Sequence, residues 1–285
     1  LADLADGTLS ASKVENNEFF ITSAGTNGQI WTSDGDGAGG WGDNTAATNI
    51  NGLTDALVED TGSMYVGNDP SSTTDAADYN LAVGVTALDA VTTGDYNTAL
   101  GYSSLTDNTT GTSNAAYGSQ SLFKNTTGNR NTAFGHQSMH QNTEGSHNTA
   151  VGYLTLKNTT ANSNTAVGNL AMTENISGVD NVALGMSALR NSTASNYNTA
   201  IGKRALYDAN RTADSDGYNI AVGYAAGYTG TNNITTGNKN TLLGASTAAA
   251  SAAATNQTVI GYGASGQADN SVTLGNADVT AVYMS

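Results

Sequence analysis

The chain has 285 residues, among them 34 glycines, one proline and no cysteine, and charged residues make up only 12%. Nine Lys and Arg stand against 24 Asp and Glu, a formal net charge of −15, which argues against nucleic acid and anionic lipid as partners, since both need a basic face. No disulfide can form, so cohesion has to come from backbone ladders and packing, and no apolar run approaches the roughly 18 residues of a membrane helix.

Residues 1–75 do not repeat and are read as an N-terminal connector region. Within them, the segment from Gly25 to Trp41 predicts a small hairpin with Gly-rich turns. The stretch Asp34-Gly-Asp-Gly-Ala-Gly-Gly-Trp-Gly-Asp43 carries oxygens that suit a hard cation, but it lacks the EF-hand register and its Glu. A plain Gly-rich turn is the simpler reading, and no metal or cofactor is expected. Pro70, the only proline, marks the boundary.

From residue 76 to 283 a five-residue phrase recurs, Asn-x-Ala-apolar-Gly. It reads Asn97-Thr-Ala-Leu-Gly101, Asn131-Thr-Ala-Phe-Gly135, Asn148-Thr-Ala-Val-Gly152 and Asn164-Thr-Ala-Val-Gly168, with ten copies between Asn80 and Gly244. Looser copies are Gln257-Thr-Val-Ile-Gly261 and Ser271-Val-Thr-Leu-Gly275. The closing glycines step by 17 residues four times, then by 16, 17, 17, 21, 21, 17 and 14. A short period of this kind makes a chain a stack of similar units. About 17 residues suit one rung of an all-β roll or solenoid, because a helical-pair repeat needs about 33. The array is therefore read as a β-solenoid of about 12 rungs, which at about 4.8 Å per rung spans on the order of 55 Å.

Each rung is expected to hold two short strands. The first is the phrase itself; the second passes through an apolar residue four past the glycine, as at Leu88, Leu105, Leu122, Met139 and Leu156. Strand side chains alternate, so positions two and four share a face and Ala and Gly share the other. The β-branched and aromatic pair is expected inside the coil. The nearly bare Ala face is expected to admit another chain, with Ala99, Ala133, Ala150, Ala166 and Ala200 in tight contact. A core so thin is marginal against chain entropy and predicts an obligate oligomer. The Asn column suits a corner, where Asn tolerates the left-handed region, together with a ladder of stacked amides.

Two rungs of 21 residues break the period. Four extra residues do nothing for a ladder, whereas loops in repeat arrays often carry binding. Tyr207, Asp208, Asn210, Arg211, Asp214, Asp216, Tyr218, Tyr224 and Tyr228 are therefore the candidate receptor-binding residues; a structural reading has these loops only shielding a coil edge. The small-residue run Ala245–Thr255 keeps the 17-residue step and is read as a modified rung. The column one past each glycine varies most, from Val85 and Tyr102 to His136, Tyr153, Lys203 and Tyr224. Its tyrosines, with Tyr79, Tyr96 and Tyr197, suit either sugar rings or packing against neighbouring rungs.

No catalytic motif stands out, and an enzyme is not expected. His136, His140 and His147 fall in adjacent rungs, but there is neither HExxH nor GxSxG. Glu144, Glu174, Asp180 and the other acids scatter over corners, with no pair set for glycan cleavage.

The array resembles the head repeats of trimeric autotransporter adhesins, whose rungs are usually shorter. With its flanks it is more similar to bacteriophage tail fibres and tail spikes matured by an endosialidase-type intramolecular chaperone. The residues that carry this are Asn148 to Leu156, Leu4 to Val14, Gly25 to Gly35 and Val272 to Val282. The resemblance implies a homotrimeric extracellular virion fibre that binds a host-surface glycan or protein and joins other tail proteins, without enzymatic activity or membrane insertion. A bacterial trimeric adhesin head, an ice-binding solenoid with a row of Thr98, Thr132, Thr149, Thr165 and Thr199, and a glycan-cleaving spike stay open as alternatives.

Overall fold

The computed structural model describes residues 29–33, 39–43, 56–58, 62–67, 76–210 and 216–283. The chain forms two compact units, Leu1–Ala56 and Leu57–Ser285. In the first, β1 (Gln29–Ser33) pairs antiparallel with β2 (Gly39–Asp43), Trp31 opposite Trp41. That is the hairpin the Gly-rich segment predicts. Residues 34–38 of the possible cation loop lie outside the described residues.

The rest is a parallel β-solenoid. Fourteen strands, from β3 (Ala56–Val58) and β4 (Met64–Val66) to β16 (Val272–Leu274), stack in chain order in one sheet. No helix occurs among the described residues. From β4 on, each strand is the three-residue centre of one copy of the phrase, intact or degenerate. In β9 (Thr149–Val151) and β10 (Thr165–Val167), Thr149 lies beside Thr165, Ala150 beside Ala166 and Val151 beside Val167.

Glycine ends each strand for a steric reason. From Gly84 to Gly261 the phrase glycines have φ between 122° and 138°. A Cβ on Gly152 would stand 2.6 Å from the Gly168 carbonyl oxygen of the next coil. The corner thus brings backbone onto backbone, where no side chain fits.

The expected second strand is absent. Leu88, Leu105, Leu122, Met139 and Leu156 all have φ between 49° and 53°, a left-handed conformation that cannot be extended. This opposite wall is built of turns that still bond coil to coil: the Leu105 amide donates to the Ser121 carbonyl at 3.1 Å and the Leu122 amide to the Ser138 carbonyl at 3.0 Å. One strand and a wall of turns make a coil.

The faces are also the reverse of the expectation. Ala99, Ala133, Ala150, Ala166 and Ala200 are fully buried inside their own coil, opposite the equally buried Leu105, Met139, Leu156, Met172 and Leu206. These alanines therefore cannot be contacts between chains. Positions two and four point outward instead. The coil is too narrow to hold a pair of large residues against the leucine column, so the small residue takes the inside.

The coil also begins before residue 76. Ser63-Met64-Tyr65-Val66-Gly67 is a degenerate phrase, with β4 paired in register to β5 (Leu81–Val83). Ser63 does the work of the missing Asn, its hydroxyl accepting the Asn80 amide at 3.0 Å. Ala245–Thr255 is a modified coil as expected, with Thr247, Ala249 and Ala254 buried.

Candidate functional site

The interior is polar along two columns, and both are used by the fold. The Asn148 amide group donates to the Ala161 carbonyl at 2.7 Å, while its side-chain oxygen accepts the Asn164 backbone amide at 2.9 Å. The same pair of bonds recurs at Asn97, Asn114, Asn131 and Asn164. Each Asn thus satisfies an amide that the three-residue strand leaves without a ladder partner. A second ladder runs through Asn108, Asn125 and Asn142, amide to carbonyl oxygen at 2.7 and 2.8 Å. The Asn column is structural and forms the expected ladder, but no Asn of the phrase takes the left-handed region; the residue before it does, as at Tyr96, Arg130 and His147.

The open sheet face is the first surface feature. Its outward positions run Thr98 and Leu100, Ala115 and Tyr117, Thr132 and Phe134, Thr149 and Val151, then Thr165 and Val167. It continues through Val182 and Leu184, Thr199 and Ile201, and Ile220 and Val222 to Val272 and Leu274. From β4 to β16 no outward position carries a charge. Large apolar groups stand in water: Phe134 is 56% exposed, Leu184 41% and Val272 67%. On so acidic a chain, an uncharged apolar strip of this length is the pattern of a contact surface.

The second feature is the pair of long coils. The predicted binding residues do not converge on one point. Asp208 is committed to the frame, accepting from Asn191 at 2.8 Å and from Asn233 at 2.9 Å. Asn210 accepts from the Thr193 amide and hydroxyl at 3.1 and 2.6 Å. Tyr207 accepts from Arg190 at 2.9 Å and packs against Tyr228, ring centres 4.7 Å apart. Tyr218 stacks on Tyr197 at 5.0 Å, and its hydrogen bond to Asp216 holds its phenol above the ordinary value of 10.0. Tyr224 is 52% exposed. Arg211 and Asp214 lie outside the described residues.

The second long coil, from Gly223 to Gly244, has a clear construction. Gly227 occupies the place of the leucine column, where a Cβ would stand 2.9 Å from Leu206 and 3.1 Å from Leu242. Residues 228–233 then leave the coil, and the chain returns at Ile234. Ile234 is fully buried and its amide donates to the Gly227 carbonyl at 3.0 Å. The excursion forms one wall of a groove of about 370 Å³, lined by Arg204, Tyr224, Ala225, Tyr228, Thr229 and Ser246 among others. Of these, sequence reasoning reaches Tyr224 and Tyr228 and misses Arg204, Ala225 and Ser246. Each of those three stands two past a phrase glycine, so the repeat register would have brought them together.

The histidines occupy separate columns. His136 stacks on Tyr153 at 5.6 Å, His140 on Phe123 at 5.1 Å, and His147 accepts from Arg130 at 3.2 Å. Partial burial, then the charges of Lys157 and Lys124, lower the His140 pKa below 6.5. Among the described residues there is no group of three or more His, Cys, Asp or Glu able to hold a metal ion.

Compared with protein-family models, with curated proteins and with solved structures, the sequence and fold give no match.

Proposed function

We propose that this chain is a repeat-array segment of a bacteriophage tail fibre, assembled as a homotrimer through the open sheet face and serving attachment to the host surface. The observation that carries the reading is the uncharged outward strip running from β4 to β16. Three copies meeting along it would bury the exposed Phe134, Leu184, Ile201 and Leu243 and give a thin coil the second core that it lacks. The threefold count rests on the resemblance of the repeat to trimeric fibres and adhesin heads. The same resemblance supports an extracellular virion location, other tail proteins as partners and a role without catalysis.

The test uses antibodies raised against the purified chain. Labelling along the tail fibres of purified virions is the expected result in electron microscopy. Labelling of the bacterial envelope instead would establish the adhesin-head alternative and overturn the fibre reading.

One further reading has an observation in its favour. Thr132, Thr149 and Thr165 stand side by side in successive strands on the same open face, the kind of regular hydroxyl row that an ice-binding solenoid needs. Tyr117 and Phe134 interrupt the flatness of that face. Thermal hysteresis in the purified protein would favour ice binding over assembly.

A further inference from the structure

We infer that the groove beside Arg204 binds a carboxylate-bearing sugar. The inference takes up the attachment reading and gives it a ligand class. The site follows from the repeat register. Arg204, Ala225 and Ser246 stand two past the glycine in three successive coils, linked through the Ala225 amide to the Lys203 carbonyl at 2.8 Å and the Ser246 amide to the Tyr224 carbonyl at 2.7 Å. The small Ala225 between two longer residues makes a dip. Tyr224, together with Tyr228 and Thr229 of the excursion, completes the lining. The volume of about 370 Å³ lies within the range of small-molecule pockets, about 300–1,000 Å³.

The lining selects the ligand. Arg204 is exposed, and among the described residues its guanidinium has neither an ion pair nor a hydrogen bond. Arg190, by contrast, is committed to Tyr207. A free guanidinium on a chain of net charge −15 is an uncommon feature, and its planar fork matches a carboxylate in two parallel bonds. The exposed Tyr224 offers its ring to the C–H face of a pyranose, and Tyr228, whose ring packs against Tyr207, offers its hydroxyl to the edge. Thr229 and Ser246 add short hydroxyls that both donate and accept. A neutral sugar would leave the guanidinium unused, and a simple inorganic anion would leave the tyrosines unused. A sugar acid uses both.

The test is saturation-transfer NMR and calorimetry on the full chain, with two probes: the methyl glycoside of N-acetylneuraminic acid and digalacturonic acid. Their methyl esters serve as uncharged controls. At least one acid should bind with a millimolar dissociation constant, as befits a shallow single site, and its ester at least tenfold more weakly. Arg204→Gln should weaken binding at least tenfold. Ala225→Leu should abolish it by filling the dip. The fold accepts leucine there, because Leu154 and Leu170 occupy the same column at φ 53° and 58°, against 52° for Ala225, and an unchanged melting curve confirms this. No binding of either acid at concentrations on the order of 20 mM overturns the inference, as does equal binding by the esters or by Arg204→Gln. The measurement uses free sugars, so its failure leaves virion labelling and assembly to be decided on their own.

Discussion

Replacing Asn148 with alanine removes one step of the buried amide ladder, and the cost can be worked out bond by bond. The side chain donates to the Ala161 carbonyl at 2.7 Å and accepts the Asn164 amide at 2.9 Å. Both partners are buried, Ala161 at 6% exposure and Asn164 completely, as is Asn148 at 1%. The Asn131 side-chain oxygen is not orphaned, because the Asn148 backbone amide still reaches it at 3.0 Å. Two buried groups are left unpaired, each costing about 1–3 kcal/mol, so the substitution should destabilise the coil by about 2–6 kcal/mol. Urea unfolding followed by circular dichroism at fixed protein concentration reads this as a lower midpoint. Asn148→Asp sharpens the test. It keeps the acceptor for Asn164 but turns a carboxylate toward the Ala161 carbonyl, so the neutral acid is favoured and its folded pKa is raised. The stability of that variant should then fall as pH rises through that pKa, making it firmer at pH 4 than at pH 8 relative to the parent. If Asn148→Ala unfolds within about 0.5 kcal/mol of the parent, the ladder is ornament and the reasoning fails.

Gly152→Ala places a Cβ 2.6 Å from the Gly168 oxygen and 2.7 Å from the Thr155 hydroxyl at a φ of 138°; a loss of at least about 2 kcal/mol is expected, and an unchanged melting temperature would contradict the close approach of the coils. Ala150→Leu overpacks the inside of its own coil, so it should lower the melting temperature by the same amount at all protein concentrations, whereas a contact between chains would show an effect that dilution enlarges. His140 has a folded pKa below 6.5, so the stability it contributes is present above pH 6.5 and lost as pH falls through that lower value. Its NMR titration midpoint should lie below 6.5, and His140→Gln should show a shallower loss of stability between pH 7 and pH 5.

The repeat, the all-β class and the hairpin were legible because each rests on local chemistry: a glycine no other residue can replace, an amide at a corner, turn-formers between apolar residues. The orientation of the strand was harder to read. Apolar size points to positions two and four as the core, yet position four ranges from Val151 to Tyr117 and Phe134. A packed interior does not tolerate such changes of volume. The column of steady size is Ala, and that constancy was the stronger signal. The second strand failed because an apolar residue at a fixed offset marks a core contact without fixing φ; Leu105 and Leu156 reach the interior from the left-handed region. The start of the array was hidden because Ser63 and Tyr65 replace Asn and Ala, although Gly67 precedes Gly84 by the usual 17 residues. Of the candidate site, Tyr224 and Tyr228 came from the length of the insertion. Arg204 lies a coil earlier in sequence, and only the stacking brings it alongside.

Sedimentation equilibrium of the full chain at micromolar concentration, beside the double variant Val151→Lys, Val167→Lys, tests the contact face most directly. Both valines are outward, adjacent and in register on the open sheet, so the charges they introduce should not disturb the buried Ala and Leu columns. The account predicts a parent particle of about three times the 28.8 kDa chain mass and a variant that sediments as a single chain with an unchanged circular dichroism spectrum. A monomeric parent, or a variant that stays assembled, would contradict it.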